Sequence, residues 1–231
     1  AAIDAVMARG ETPLAPEAFE AIANETGALV VDTRSPADFH KGFIPNSVSI
    51  GIDGSFANWA GSLLGAPAQP LLLVCDAGRE HEAVTRLARV GYQQVLGYLE
   101  GGTAAWEASG RELDALESIA PEEFLRRRDA AENVPGADEN GLNVLDVRKP
   151  SENAAGHLPE ADNLPLETLN TGMGRLDRAK TYYLHCASGY RSMIAASILK
   201  ARGFDKVINV EGGYNALSRL IRETPAAGLQ D

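Results

Sequence analysis

Thr181-Tyr182-Tyr183-Leu184-His185-Cys186-Ala187-Ser188-Gly189-Tyr190-Arg191-Ser192-Met193-Ile194-Ala195-Ala196-Ser197-Ile198-Leu199-Lys200-Ala201-Arg202-Gly203 reads as strand, short loop and helix in direct succession. Residues 181–185 form an apolar, strand-like run, and 193–202 are good helix formers stopped by Gly203. A chain that turns from a strand straight into a helix leaves the first helical N–H groups without partners, and with the helix dipole they form a cradle for an anion. Cys186 opens the loop, so its sulfur sits in that cradle, which favours the nucleophilic thiolate. Arg191 adds a fixed cation. The plainer alternative is a buried core cysteine, a common fate of free Cys.

Loop length separates two chemistries. Phosphatases that use a cysteine thiolate place five residues between Cys and Arg. Here Ala187, Ser188, Gly189 and Tyr190 are the four between Cys186 and Arg191. The tighter ring suits one extra sulfur on the cysteine better than a tetrahedral phosphoryl group.

Moving outward, the chain is one unit written twice. Leu14-Ala15-Pro16-Glu17-Ala18-Phe19 returns as Ile119-Ala120-Pro121-Glu122-Glu123-Phe124. Asp32, Arg34, Pro36, Gly42 and Pro45 recur 114 residues later as Asp146, Arg148, Pro150, Gly156 and Pro159. Cys75, Gly78 and Glu100-Gly101-Gly102 recur 111 residues later as Cys186, Gly189 and Glu211-Gly212-Gly213. Such register over so many special residues is a tandem duplication. In each copy, wholly apolar strands alternate with helical segments, the pattern of parallel strands joined by helical crossovers in an α/β fold. Expected strands are 28–32, 47–50, 71–75 and 95–98, then 142–146, 162–164, 181–185 and 207–210. Expected helices are 16–26, 80–90 and 103–109, then 121–131, 151–155, 190–202 and 213–222. Residues 1–12 read as the end of a helix and a linker, with domains at 13–112 and 117–224. Residues 132–141 read as a polar surface loop. The first copy's insert 51–61 carries Phe56 and Trp59, which either cover a site or anchor the loop to its own core.

Composition narrows the possibilities. The 231 residues are 45% hydrophobic and 23% charged with net charge −11, ordinary for a soluble globular protein and unfavourable for nucleic acid or anionic membrane partners. Two cysteines argue against a disulfide scaffold and fit a reducing compartment, hence a cytoplasmic location. The histidines at 40, 81, 157 and 185 have no metal-ligand spacing, and no dinucleotide or phosphate-binding glycine motif is present. No cofactor and no metal are expected.

The series D-x-R-x-P, G-x-(I/L)-P, C-x-x-G and E-G-G, present in both copies, resembles the rhodanese domain, the fold of single-cysteine sulfurtransferases. The resemblance covers roughly residues 12–222 and implies two rhodanese-like domains, each a parallel sheet with helices on both faces. The first copy's Phe43-Ile44-Pro45, its 51–61 insert and Arg86-Leu87-Ala88-Arg89-Val90-Gly91-Tyr92 are similar to the paired rhodanese tail of proteins that begin with a metallo-β-lactamase-fold persulfide dioxygenase domain. That domain's metal ligands are not in this chain.

The two loops are not equivalent. In Cys75-Asp76-Ala77-Gly78-Arg79-Glu80, Glu80 stands where Arg191 stands in the second copy, and Asp76 adds another negative charge. Two carboxylates disfavour a thiolate and repel anionic donors, so the Cys75, Gly78, Glu80 site reads as degenerate. In the second copy the resemblance implies that Cys186 would take sulfur from thiosulfate or a glutathione-type persulfide and yield it to cyanide or a cellular thiol. Arg191, the amides of residues 187–192 and Ser192 stabilise the persulfide, and the resemblance places Arg148 near the loop, with an ion pair to a carboxylate such as Glu152 as the alternative. Asp146 reads as structural. His185 should point away from the nucleophile. A docking module for a persulfide dioxygenase domain is the competing reading.

Overall fold

The computed structural model describes residues 2–132 and 141–224. Among these, ten strands form two sheets. In the first, β1 (Pro13–Leu14), β2 (Leu29–Asp32), β3 (Val48–Ser49), β4 (Leu71–Val74) and β5 (Val95–Leu99) lie in the order β1-β5-β4-β2-β3. In the second, β6 (Glu117–Ile119), β7 (Asn143–Asp146), β8 (Ala161–Asn163), β9 (Tyr182–His185) and β10 (Val207–Val210) repeat that order as β6-β10-β9-β7-β8. Every neighbouring pair is parallel.

Burial explains why these strands have no polar face. Leu72 and Val74 join Phe19, Val30, Leu99 and Trp106 in a core on one side of the first sheet. Leu71 and Leu73 alternate to the opposite side and are also fully buried. A parallel sheet needs this two-sided cover, and the helical crossovers supply it. In the second sheet Val144, Tyr183, Ile208 and Val210 pack with Phe124 and Leu217, while Leu145 and Leu184 are buried on the reverse. The helices Pro16–Thr26 and Pro121–Glu132 both begin at a proline, whose fixed φ suits the first helical turn. No helix of the described residues is long and apolar enough to cross a membrane.

The eight strands expected from sequence are present to within a residue or so at their ends. β1 and β6 were not expected; two- and three-residue edge strands carry too little pattern to read. In the stretch 1–12, read as the end of a helix and a linker, the helix runs Ile3–Gly10 with Val6 buried, and a Cβ on Gly10 would strike the Val84 side chain. Phe56 is fully buried at the head of the helix Phe56–Leu63, with the Arg86 guanidinium 5.3 Å from its ring centroid, so it anchors the insert to its own core. The 132–141 loop lies almost wholly outside the described residues.

Parallel strands end on one side of their sheet. The carboxyl ends of β2 and β4 therefore bring Asp32 and Cys75 to one edge, and those of β7 and β9 bring Asp146 and Cys186 to the equivalent edge.

Candidate active site

Cys186 directly follows the central strand β9 and is buried. Gly189 has φ +113°, a conformation costly for residues with a Cβ. That turn aims the Gly189 N–H at the Cys186 sulfur, Sγ, at 3.0 Å. The Cys186 thiol donates to Ser192 Oγ at 3.5 Å, and a thiolate there would instead accept from the Ser192 hydroxyl. Ser192 is buried, Ala187, Gly189 and Tyr190 are half-buried and Ser188 is exposed. The helix Tyr190–Ala201 begins at once, bringing Arg191 into its first turn.

A second helix clasps the loop from behind. In Gly213–Glu223, the Tyr214 N–H donates to the Cys186 carbonyl at 2.7 Å and the Asn215 N–H to the Ala187 carbonyl at 3.1 Å. A Cβ on Gly213 would collide with the Cys186 carbonyl and lie 2.7 Å from the Ala187 oxygen. That collision is the physical reason for the second glycine of Glu211-Gly212-Gly213, which the sequence showed as a repeat marker but not as a clasp.

Below the loop lies a charged scaffold. Asp146 and Arg148 form a fork-to-fork pair, with Nε–Oδ1 at 2.9 Å and Nη2–Oδ2 at 2.7 Å. Arg148 also donates to the Gly156 carbonyl at 2.8 Å and lies 4.1 Å from the Tyr214 ring centroid. Arg148 thus takes Asp146, not Glu152, as its carboxylate partner. Burial pushes the Asp146 carboxyl pKa up, but the bonds from Arg148 and Asn153 outweigh it and hold the pKa below the usual value. Glu152 instead takes Arg191, with Nη1–Oε2 at 2.7 Å and Nη2–Oε1 at 2.9 Å. His185 is buried with Nδ1 3.1 Å from the Cys186 carbonyl and its ring stacked near Tyr214, and burial lowers its pKa.

The first repeat has the same frame and different contents. Gly78 N–H, the equivalent of the amide on the Cys186 sulfur, donates to Glu80 Oε1 at 3.3 Å. Arg79 pairs with Asp53 at 2.7 Å and Glu82 at 2.8 Å. Thr103 replaces Tyr214, and a Cβ on Gly102 would meet nothing within 4 Å, so the helix Gly102–Ala108 stands back from the loop. A cavity of about 590 Å³ opens there, lined by Cys75, Asp76, Glu80, Tyr98 and Glu107 among others. Burial pushes the Cys75 thiol up to about 12, opposed by a Thr33 hydrogen bond and reinforced by Glu80, Asp32 and Asp76. Asp32 is raised as well, because burial outweighs Arg34 and Phe39 stands where Asn153 helps Asp146.

Alkylation of Cys75 by iodoacetamide, followed by peptide mass, is accordingly expected to accelerate about tenfold per pH unit from pH 7 to 10 with no plateau, since only the thiolate reacts. A plateau near pH 8 to 9 would show an ordinary thiol and remove the electrostatic distinction between the repeats.

Each half is thus a five-stranded parallel α/β layer with a cysteine at the end of its central strand, and the second half adds a four-residue loop from cysteine to arginine. The model of the rhodanese-like domain matches residues 15–109 and again 121–220, and the chain belongs to the rhodanese-like family. It is 32% identical over 83 residues to a sulfurtransferase of Allochromatium vinosum, covering 36% of this chain and 78% of that protein. It is 37% identical over 89 residues to a tRNA sulfurtransferase of Vibrio cholerae, covering 37% of this chain but 18% of that one. Among solved structures, a rhodanese-like domain protein from Staphylococcus aureus is 30% identical, with TM-score 0.38, covering 44% of this chain and 91% of that chain.

Proposed function

We propose that the second repeat is a sulfurtransferase using Cys186, and that the first repeat is catalytically silent. Family membership and the sulfurtransferase relatives support a sulfur-transfer function. The observation that carries the catalytic reading is the Gly189 N–H held 3.0 Å from a buried Cys186 sulfur, in a loop with only four residues between Cys186 and Arg191. A fixed donor aimed where negative charge develops needs no reorganisation during reaction.

In the first step the Cys186 thiolate attacks the outer sulfur of thiosulfate or of a low-molecular-weight persulfide. The new S–S bond forms as the donor's breaks, and the electron pair leaves with sulfite or with the donor thiolate. In the second step a thiophilic acceptor, cyanide in an assay or a cellular thiol, takes the outer sulfur and Cys186 leaves as thiolate. Ser192 and the Gly189 amide hold the sulfur through both steps. The sequence resemblance to the rhodanese tails of dioxygenase fusions favours a persulfide dioxygenase domain as the partner, and the two free cysteines favour a reducing, cytoplasmic setting. The altered first loop supports a competing role as a docking module.

Incubation of the folded, reduced protein with thiosulfate or glutathione persulfide, then cyanide, is expected to add one sulfur to the Cys186 peptide and then remove it, read by intact and peptide mass. Sulfur on Cys75 alone would reverse the roles of the repeats. No sulfur on either cysteine would leave the docking module.

A further inference from the structure

The Cys186 site has an arginine at its mouth, yet that arginine is occupied. Both terminal nitrogens of Arg191 face both oxygens of Glu152, a bidentate geometry that uses the fork an oxyanion would need. Glu152 is held in turn, because its Oε2 also accepts the Lys149 N–H at 3.1 Å. Neighbouring cations are engaged as well: Arg148 by Asp146 and Gly156, and the Lys149 side chain by Glu167 at 3.5 Å. In the first repeat Asp38 and Glu80 stand at the positions of Glu152 and Arg191, so that loop offers an oxyanion still less.

We propose that Glu152 is a specificity-determining residue: by filling the Arg191 fork, it sets the Cys186 site against donors whose departing group is an oxyanion and in favour of organic persulfides. This deepens the sulfurtransferase reading and rests on it. In thiosulfate the sulfur next to the one transferred carries the three oxygens, so sulfite departs with its charge at the reacting centre, while Arg191, the cation that interacts with the Cys186 sulfur, is already paired with Glu152. In an organic persulfide the departing group is a thiolate carrying a single charge at the reacting end, and its other charges lie several bonds away. In both cases one S–S bond replaces another and no outside oxidant or reductant is required.

The experiment compares Cys186 loading from thiosulfate and from glutathione persulfide in the full chain, wild type and Glu152→Gln, with melting temperature as the folding control. The wild type is expected to favour glutathione persulfide by about 100-fold or more in kcat/KM. Glu152→Gln is expected to raise kcat/KM for thiosulfate about 10-fold, mostly through KM, and to change the persulfide value less than about 3-fold. Equal losses with both donors would make Glu152 only a positioning residue for Arg191 and overturn the proposal. A wild type that prefers thiosulfate would overturn it without any variant. Sulfur on Cys186 from neither donor would overturn the sulfurtransferase reading itself.

Discussion

The Cys186→Ser variant is expected to fold like the wild type and to lose sulfur transfer to cyanide by about 10⁴-fold or more, whereas Cys75→Ser keeps it within about 2-fold. An oxygen in place of the sulfur preserves the shape of the loop, because the Gly189 amide can donate to a hydroxyl as well as to a sulfur. It removes the chemistry, since a serine cannot hold an outer sulfur that an acceptor can take. The contrast with Cys75 follows from what surrounds each sulfur. Cys186 has the Gly189 N–H at 3.0 Å and Ser192 Oγ at 3.5 Å. At Cys75 the matching amide is given to Glu80, and burial with three carboxylates holds the thiol protonated to about pH 12. Steady-state rates of thiocyanate formation for the two variants, each with its melting temperature, decide the matter. Substantial loss in Cys75→Ser at unchanged stability would mean that the repeats share the relay.

The sequence made the duplication, the parallel α/β architecture and most strand positions legible, because buried parallel strands are apolar at every position and the glycines and prolines keep register. What it could not show were the partners of charged side chains. Asp146 and Arg148 are two residues apart on a strand end, and nothing local says that the arginine folds back on the aspartate while Glu152, on the next short helix, reaches Arg191. The Glu152–Arg191 pairing depends on strand β7 lying beside β9, a contact between segments about 40 residues apart that periodicity does not encode. The clasp by Gly213, Tyr214 and Asn215 has the same origin. Its glycine was visible, but the carbonyl that forbids a side chain there belongs to Cys186. The edge strands β1 and β6 escaped for a different reason: two or three residues cannot display a period.

Asp146→Ala is expected to destabilise the second repeat by about 3–5 kcal/mol, which lowers its melting temperature by roughly 10 °C or more. The carboxylate is fully buried and the Arg148 side chain is 6% exposed, so its removal strands a buried guanidinium that water does not reach. It also takes an acceptor from Asn153 and from the Arg148 backbone N–H. The sign of the pH dependence follows from the lowered folded-state pKa. The stability that Asp146 contributes is present above its unfolded value, about 3.9, and is lost as pH falls through the folded value. The gap in melting temperature between wild type and variant should therefore be widest near neutrality and should narrow on acidification below about pH 4. At Asp32, where burial raises the carboxyl pKa and no Asn153 equivalent helps, the same substitution should cost less. The double variant Asp146→Ala/Arg148→Met separates pairing from packing: with the stranded charge replaced by an apolar chain against Tyr214, much of the lost stability should return. A double variant as unstable as Asp146→Ala would place the cost in the bonds to Asn153 and the loop backbone, making the aspartate a hub for the strand end and not chiefly a counter-ion.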